Sequence, residues 1–273
     1  MKLGIQGEPW EAIAAFFRHA DELEAYDVAW VNDHVYNPFF PDRSDDPGTF
    51  EAYTALAALA AGTSRIRLGA MVGANLFRNP ALVARMAATI DHISGGRFEL
   101  GVGAGWHERE HNDLGMTLLA PGDRVSAFEE SLIVLRSLLM EPETTYEGRF
   151  YTMTNAVSEP KPVQARLPIV IGAYRDRMLR ITARHADHWN FDGKDPEAFA
   201  EALGRLHRAC ESVGRDPAEI EVSVQYWPQR MVGTPLAEIT AAFVERGADH
   251  MILAFLTTDR DLLERAAEEL ADV

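Results

Sequence analysis

The chain has 273 residues, of which 47% are apolar and 25% are charged, and this balance is typical of a globular protein rather than of a disordered or fibrous one. Its formal net charge of −16 disfavours nucleic acid as a partner, because nucleic-acid binding depends on clustered Lys and Arg that neutralise phosphates. The sequence contains neither a run of about 18 apolar residues nor a leader pattern, so we expect a cytoplasmic protein with no membrane partner.

Eight short apolar runs alternate with longer segments of helical periodicity, which is the pattern of βα units around a parallel sheet. An open, doubly wound sheet gives the same alternation, but eight units favour a barrel, and such barrels have about 250 residues. We therefore predict one α/β domain over residues 1–273 with the fold of a (β/α)8 TIM barrel. Its predicted strands are 3–6, 28–32, 66–72, 98–103, 169–171, 187–191, 220–225 and 250–255.

Apolar residues recur at helical spacing between these strands, and each stripe predicts a helix that packs on the barrel. Gly247 follows the fourth stripe and suits the end of a helix. The stripes are Ile13, Phe16, Phe17, Ala20 and Leu23; Leu82, Val83, Met86, Ala87 and Ile90; Val125, Phe128, Leu132, Leu135 and Leu139; Leu236, Ile239 and Phe243; and Leu262, Leu263, Ala266 and Leu270.

Two predicted connections are much longer than the few residues usual between barrel elements. They span residues 34–48 and 104–168, and the second contains a predicted hairpin and loop at 144–168. Both follow the carboxyl end of a strand, which is the face where barrel enzymes place their active sites. We expect these insertion loops to shape a pocket at that face.

The fourth predicted strand ends in a series of glycines at Gly101, Gly103 and Gly105. Glycines in such a position let the backbone approach a flat ligand or a phosphate closely. A dinucleotide fingerprint requires a third glycine, but Trp106 follows Gly105 directly and the GxGxxG spacing is not met. The segment therefore does not predict a Rossmann site.

Residues 107–111 read His-Glu-Arg-Glu-His and satisfy the HExxH pattern of zinc hydrolases. On a helix this spacing would place the imidazoles of His107 and His111 on one face, with Glu108 as a general base. The alternative interpretation is a polar helix start after the glycine-rich turn. Because no third ligand follows, we predict no metal and keep the zinc hydrolase as a lower alternative.

Five segments of the chain together resemble the luciferase-like monooxygenase superfamily, in particular its oxidoreductases that use the deazaflavin coenzyme F420. The segments are Asn32-Asp33-His34, LGAMVGANLFRNP at 68–80, SGGRFELGVGAGW at 94–106, IGAYRDRMLRITARHADHWN at 171–190 and GADHMILAF at 247–255. The resemblance covers essentially the whole chain. It implies a luciferase-like (β/α)8 barrel with the tricyclic ring of the cofactor in the barrel mouth.

The resemblance also implies the reaction, which is hydride transfer between F420 and a small organic substrate. A close alternative is an FMN-dependent monooxygenase of the same family, because a flavin reacts with dioxygen whereas a deazaflavin transfers hydride only. A third candidate is a cofactor-binding protein without catalysis. Members of the family form homodimers, and we expect the same here.

Three residues are predicted to be catalytic. Asp33 and His34 match the Asp-His pair of the family, in which the acid helps to hold the ring and the imidazole donates a proton near the reacting carbon. Histidine suits this role because its ordinary pKa is about 6.5 and a neighbouring carboxylate would keep it charged. Glu110 matches the acid that commonly follows Gly-Trp in the family.

Further positions match cofactor contacts of the family. The Met71-Val72 bond corresponds to a non-prolyl cis peptide. The loop at residues 172–176 corresponds to part of the phosphate-binding site, where backbone amides and Arg175 suit a phosphodiester. This loop is slightly shorter than usual. Trp106 replaces the catalytic Glu of related sugar-phosphate dehydrogenases, so we do not expect that reaction. The predicted cofactor-binding residues are Asp33, Met71, Val72, Gly73, Ala74, Ala104, Gly105, Trp106, Arg109, Gly172, Ala173, Tyr174 and Arg175.

Overall fold

Parallel strands with intervening helices close into a barrel in the computed structural model, which describes residues 1–3, 7–36, 48–227 and 235–271. The strands are β1 Lys2–Leu3, β2 Val28–Val31, β3 Arg67–Ala70, β4 Gly73–Ala74, β5 Phe98–Gly103, β6 Thr144–Glu147, β7 Thr152–Ala156, β8 Ile169–Gly172, β9 His188–Asp192, β10 Glu221–Tyr226 and β11 His250–Phe255. The helices are α1 Trp10–Glu22, α2 Ala52–Ala61, α3 Pro80–Ser94, α4 Glu108–Asp113, α5 Pro121–Met140, α6 Asp176–His185, α7 Pro196–Ser212, α8 Leu236–Val244 and α9 Arg260–Leu270.

The order of hydrogen-bonded neighbours closes the barrel. It runs β3, β2, β1, β11, β10, β9, β8, β5 and β4, and a further pairing joins β3 to β5. The short strands β3 and β4 together form the third position, so the barrel has the eight parallel positions that the sequence predicts. The predicted hairpin is also present, because β6 and β7 pair antiparallel.

Side chains alternate between the interior of the barrel and the layer beneath the helices, as the two-residue period of a strand requires. In β2, Ala29 and Val31 belong to the main core between strands and helices, whereas Trp30 packs inside the barrel. The interior apolar cluster also contains Met71 and Val170. Above this layer the interior opens toward the carboxyl ends of the strands.

The helices follow the predicted stripes with one exception. Ile13, Phe16, Phe17 and Ala20 of α1 are buried, as are Phe128, Leu132 and Leu135 of α5. Leu82 was expected to face the barrel, but 53% of it is exposed, because the buried face of α3 runs through Val83, Ala84 and Ala87 one position further along. Among the described residues, no helix has the length and apolarity that crossing a membrane requires.

The third barrel position was predicted as one continuous strand over residues 66–72, but the structure divides it into two short strands. It is interrupted after Ala70, and the Met71-Val72 peptide bond, which the resemblance marked, is cis. Gly247 adopts φ +100° in the turn after α8, as expected for a glycine at a helix end. Parts of the predicted first strand (4–6) and of the long loop at 34–48 (37–47) lie outside the described residues.

Candidate functional site

A cavity of about 640 Å³ opens at the carboxyl ends of the barrel strands. We call the side formed after β2, β4, β5 and β8 the first wall, and the side formed by β1, β9, β10 and β11 the second wall. The residues of the first wall include Asp33, His34, Met71, Val72, Gly73, Ala74, Gly105, Trp106, Glu110, His111, Gly172, Ala173 and Tyr174. Those of the second wall include Lys2, Asn190, Asp192, Lys194, Gln225 and Trp227.

The central feature of the first wall is a hydrogen-bonded pair of side chains, His34 and Glu110. The Nδ1 atom of His34 lies 3.0 and 3.1 Å from the two carboxylate oxygens. Because an ionised carboxylate only accepts hydrogen bonds, Nδ1 carries the proton that it donates to Glu110. The other ring nitrogen, Nε2, is therefore the atom that can exchange a proton with a ligand.

Glu110 also fixes the backbone that carries His34. Its Oε1 atom accepts hydrogen bonds from the amides of Val35 at 2.7 Å and Tyr36 at 3.1 Å, and the residue is 1% exposed. Burial acts to raise the pKa of this carboxyl, but the charge and hydrogen bond of His34 and the two backbone amides outweigh burial, so the pKa is lowered overall. Glu110 is thus held as a carboxylate beneath the imidazole.

Asp33 has different partners from His34. Its carboxylate receives two hydrogen bonds from Arg78, at 2.7 and 2.9 Å, and one from the amide of Ala74 at 2.9 Å. Arg78 also contacts Glu51 and stacks on the ring of Tyr53, 4.8 Å from its centroid. Burial opposes the charge of Arg78, but the hydrogen bond and charge of Asp33 outweigh it and raise its pKa above the ordinary value.

This arrangement corrects one expectation about the Asp-His pair. The carboxylate beside the imidazole is Glu110, and Asp33 instead ties the end of β2 to Ala74 in the third barrel position. The guanidinium of Arg78, which the sequence did not mark, pairs with the Asp33 carboxylate, and the contact of Asp33 with the cofactor ring stays a prediction. Asp33 lines the cavity nevertheless.

Glycines on the first wall keep the cavity open and the strands close. A Cβ on Gly101 would lie 1.7 Å from the carbonyl oxygen of Ala70, and one on Gly103 would lie 2.7 Å from Cγ2 of Val72. Gly172 faces the cavity, whereas its neighbour Ile171 faces the main core between strands and helices. Gly101 thus allows the close approach of two strands, whereas Gly103 and Gly172 leave backbone on the cavity wall beside Val72, against which a planar ring can pack.

The predicted phosphate loop ends at an open helix start. Helix α6 begins at Asp176, and the side chain of the residue before it, Arg175, does not cap its first amides; among the described residues no other side chain does so. Tyr174 is 61% exposed at the rim of the cavity, and Arg175 is exposed beside it. Free amides at a helix start, together with an arginine, are the donors that a phosphate group uses in proteins.

Three predicted cofactor contacts lie outside the cavity wall. Ala104 packs against the main core, and Arg175 is exposed beyond the rim. Arg109 points away, because its guanidinium pairs with Asp113 at 3.5 Å and stacks over the ring of Tyr36 at 5.3 Å. The other predicted site residues line the cavity together.

The HExxH segment does not assemble a zinc site in the described part of the chain, where no group of three ligand side chains is placed to hold a metal. His107 precedes α4 and accepts a hydrogen bond from the amide of Glu110 at 3.4 Å. The Nδ1 atom of His111 lies 2.9 Å from the carbonyl oxygen of His107. The two imidazoles are therefore engaged separately.

The second wall carries polar residues that the sequence interpretation missed. Nζ of Lys2 donates to Oε1 of Gln225 at 2.9 Å, and Nε2 of Gln225 donates to Oδ1 of Asp192 at 3.3 Å. Asp192 ends β9, Gln225 lies near the end of β10, and Lys2 begins β1. The only available signal was their position at or near the ends of predicted strands.

A closed barrel with a cavity and a histidine-carboxylate pair at the carboxyl ends of its strands has the arrangement of TIM-barrel proteins, whose active sites lie at that face. The model of the luciferase-like monooxygenase family matches residues 2–268. The chain therefore belongs to this family, which supports the predicted oxidoreductase class.

Individual relatives cover less of the sequence. Pyrimidine monooxygenase RutA of Klebsiella pneumoniae is 37% identical over 174 residues, which are 61% of this chain and 47% of that protein. The chain spans about half the length of the curated relatives it matches.

Solved structures share the fold. An F420-dependent secondary alcohol dehydrogenase in complex with an F420-acetone adduct has a TM-score of 0.83 at 17% identity, with 100% of this chain and 97% of that chain covered. Monooxygenase RslO1 of Streptomyces bottropensis has a TM-score of 0.77 at 20% identity, with 99% and 97% covered.

Proposed function

We propose that this protein is an oxidoreductase that binds coenzyme F420 in the barrel mouth and transfers a hydride between the deazaflavin and a small organic substrate. The observation that carries the proposal is the His34-Glu110 pair on the wall of a 640 Å³ cavity. A proton donor beside an open, glycine-lined surface suits a reaction in which hydride and proton move together. The predicted residues Met71, Val72, Gly73 and Gly105 would contact the ring.

The cavity fits such a cofactor in two respects. The first wall presents backbone and small side chains where a planar ring would lie, and any Cβ at Gly103 would collide with Val72. The uncapped start of α6 beside Tyr174 supplies donors for the phosphate of the cofactor. The cofactor supplies the hydride chemistry when bound, and the protein supplies position and the proton.

The proton step belongs to His34. With Nδ1 donating to Glu110, a charged ring offers the Nε2 proton to an oxygen or nitrogen of the substrate. The buried Glu110 carboxylate stabilises the charged ring and keeps its orientation through the Val35 and Tyr36 amides. After proton transfer, the neutral ring keeps the same hydrogen bond and accepts the next proton at Nε2.

FMN is the alternative cofactor, since it shares the tricyclic ring and the phosphate. Identity of 37% to a pyrimidine monooxygenase favours a second candidate function, the flavin-dependent oxygenation of a pyrimidine. A homodimer remains part of the proposal on the basis of the family resemblance, and the cytoplasmic location stays a prediction.

The binding test is a pair of titrations with F420 and FMN, followed by quenching of ligand fluorescence. We expect F420 to bind with a dissociation constant below about 100 µM. Gly172→Leu should abolish this binding because it places a side chain in the cavity, whereas Gly122→Leu on the exposed start of α5 should bind as the wild type does. Binding of FMN alone would replace the leading cofactor, and failure of both ligands would refute the proposal.

The catalytic test uses His34→Ala. This variant should bind the cofactor as the wild type does and lose about a hundredfold or more in the rate at which a substrate changes the cofactor absorbance. An unchanged rate would exclude His34 as the proton donor.

A further inference from the structure

The second wall contains a donor and an acceptor that the proposed cofactor chemistry does not use. The Lys2 ammonium donates to the side-chain oxygen of Gln225, and the amide nitrogen of Gln225 donates to Asp192. An ammonium only donates hydrogen bonds and a carboxylate only accepts them, so the two charged groups fix the orientation of the Gln225 amide. Lys2 and Asp192 are therefore held apart by the length of one carboxamide.

Both charged groups have hydrogen-bonding capacity left over. In the described part of the chain, Nζ of Lys2 makes one hydrogen bond, to Gln225, and lies 5.9 Å from the centroid of the Trp227 ring. Asp192 accepts bonds at Oδ1 only, from Gln225 at 3.3 Å and from Trp227 at 3.4 Å. Two ammonium protons and the second carboxylate oxygen are thus available to a ligand, and all four residues line the cavity.

The lowered pKa of Lys2 is consistent with a buried ammonium that has few hydrogen-bond acceptors. Burial lowers the pKa of this amine to about 8, and the nearby Asp192 offsets only part of that effect. A charged group without enough hydrogen-bond partners is costly in a protein interior. A ligand oxygen on Nζ would supply one of the missing partners.

We propose that Lys2 and Asp192 bind the –C(=O)–NH– edge of a cyclic amide or imide, with the ligand carbonyl on Nζ of Lys2 and the ligand N–H on the carboxylate of Asp192. The side-chain amide of Gln225 already bridges these two groups, with its oxygen bonded to Lys2 and its nitrogen bonded to Asp192. The carbonyl and N–H of a lactam or imide would make the same two kinds of hydrogen bond from inside the cavity. This inference rests on the proposed function, because the ligand would share the cavity with the cofactor.

Other ligand classes satisfy the pair less well. A carboxylate could accept from Lys2 but would be repelled by Asp192, and a simple ketone would leave the Asp192 oxygen without a donor. Removing one hydrogen-bonding group of a ligand from a site built to recognise it leaves the protein group unpaired, and such sites discriminate strongly. Lys2 and Asp192 therefore select ligands in which a hydrogen-bond acceptor and a hydrogen-bond donor are neighbours.

The test compares glutarimide, a six-membered cyclic imide, with N-methylglutarimide, which keeps the carbonyls and lacks the N–H. Binding to the wild type is measured by saturation-transfer NMR, with and without the cofactor that the protein binds. We expect the wild type to bind glutarimide about tenfold or more tightly than its N-methyl derivative, because a hydrogen bond to a charged group is lost.

Three variants complete the design. Lys2→Met should weaken the binding of both imides, and Asp192→Leu should remove the preference for the N–H. Lys161→Met is the matched control, because Lys161 lies outside the cavity and donates to the carbonyl oxygens of Leu138 and Glu141. It should behave as the wild type.

The outcomes separate this inference from the proposed function. Equal binding of the two imides, no imide binding, or an unchanged preference in Asp192→Leu would overturn the inference while cofactor binding upholds the proposed function. If Lys2→Met does not fold, Asp192→Leu still decides, because Asp192 is exposed at the end of β9. Absence of cofactor binding with retained imide selectivity would instead refute the proposed function.

Discussion

Replacement of Glu110 by glutamine tests whether this carboxylate organises the first wall. Glutamine has nearly the same shape, so the variant removes the charge and one acceptor without creating a cavity. Its oxygen can still accept from the amides of Val35 and Tyr36. Its NH2 group would then face Nδ1 of His34, which donates to the carboxylate in the wild type.

The magnitude follows from the number of hydrogen bonds that change. Bonds to a charged group contribute about 1.5–3 kcal/mol each and neutral ones about 0.5–1.5 kcal/mol. Glu110→Gln converts two backbone bonds from charged to neutral and loses the bond to His34. We expect the free energy of unfolding to fall by about 3–5 kcal/mol, which corresponds to a decrease of about 10 °C in the melting temperature.

Circular dichroism during heating measures this change, and Glu108→Gln is the matched control because it is an exposed residue on the same helix. The difference between wild type and Glu110→Gln should also depend on pH. Since folding lowers the pKa of Glu110 from its ordinary value of 4.5, its contribution is complete above that value and is lost as the pH falls through the lowered pKa. Equal melting temperatures for both variants at pH 7 would refute the reasoning.

Two further substitutions examine the supports of the site. Arg78→Met leaves the buried Asp33 carboxylate unpaired and should lower the free energy of unfolding in urea by about 3–5 kcal/mol. The double variant with Asp33→Asn should recover part of that loss, and no recovery would argue against the pair. Gly101→Ala places a Cβ 1.7 Å from the oxygen of Ala70, so little folded protein should be recovered. Gly122→Ala meets no atom within 4 Å and should keep the wild-type melting temperature; equal stability of the two alanine variants would contradict the strand spacing.

The positions of the barrel strands could be predicted from the sequence because local periodicity determines them. Each buried strand is a short apolar run, and each glycine-rich or polar junction ends it. The break in the third strand could not be derived from this pattern, since residues 68–72 are apolar on both sides of the break. Resemblance to a family, rather than hydropathy, marked the Met71-Val72 bond.

The partners of the site residues were harder to predict because they depend on contacts distant in sequence. Asp33 and His34 are adjacent and match the Asp-His pair of the family, so from the sequence they were treated together. Successive side chains of an extended chain point in opposite directions, so Asp33 reaches Arg78 while His34 reaches Glu110, 76 residues further along. The Lys2-Asp192 arrangement was invisible for the same reason, because it joins the first and sixth barrel positions.

The position at which helix α4 begins determines whether the two histidines of the HExxH segment can lie on one helix face. Two histidines four positions apart share a face only if both belong to the helix. Helix α4 begins at Glu108, so His107 lies outside it and acts as the cap for the amide of Glu110. In the first turn of α4, Glu110 accepts a hydrogen bond from Nδ1 of His34. A segment that matches a zinc motif in sequence therefore provides, through Glu110, the carboxylate that orients the proposed proton donor.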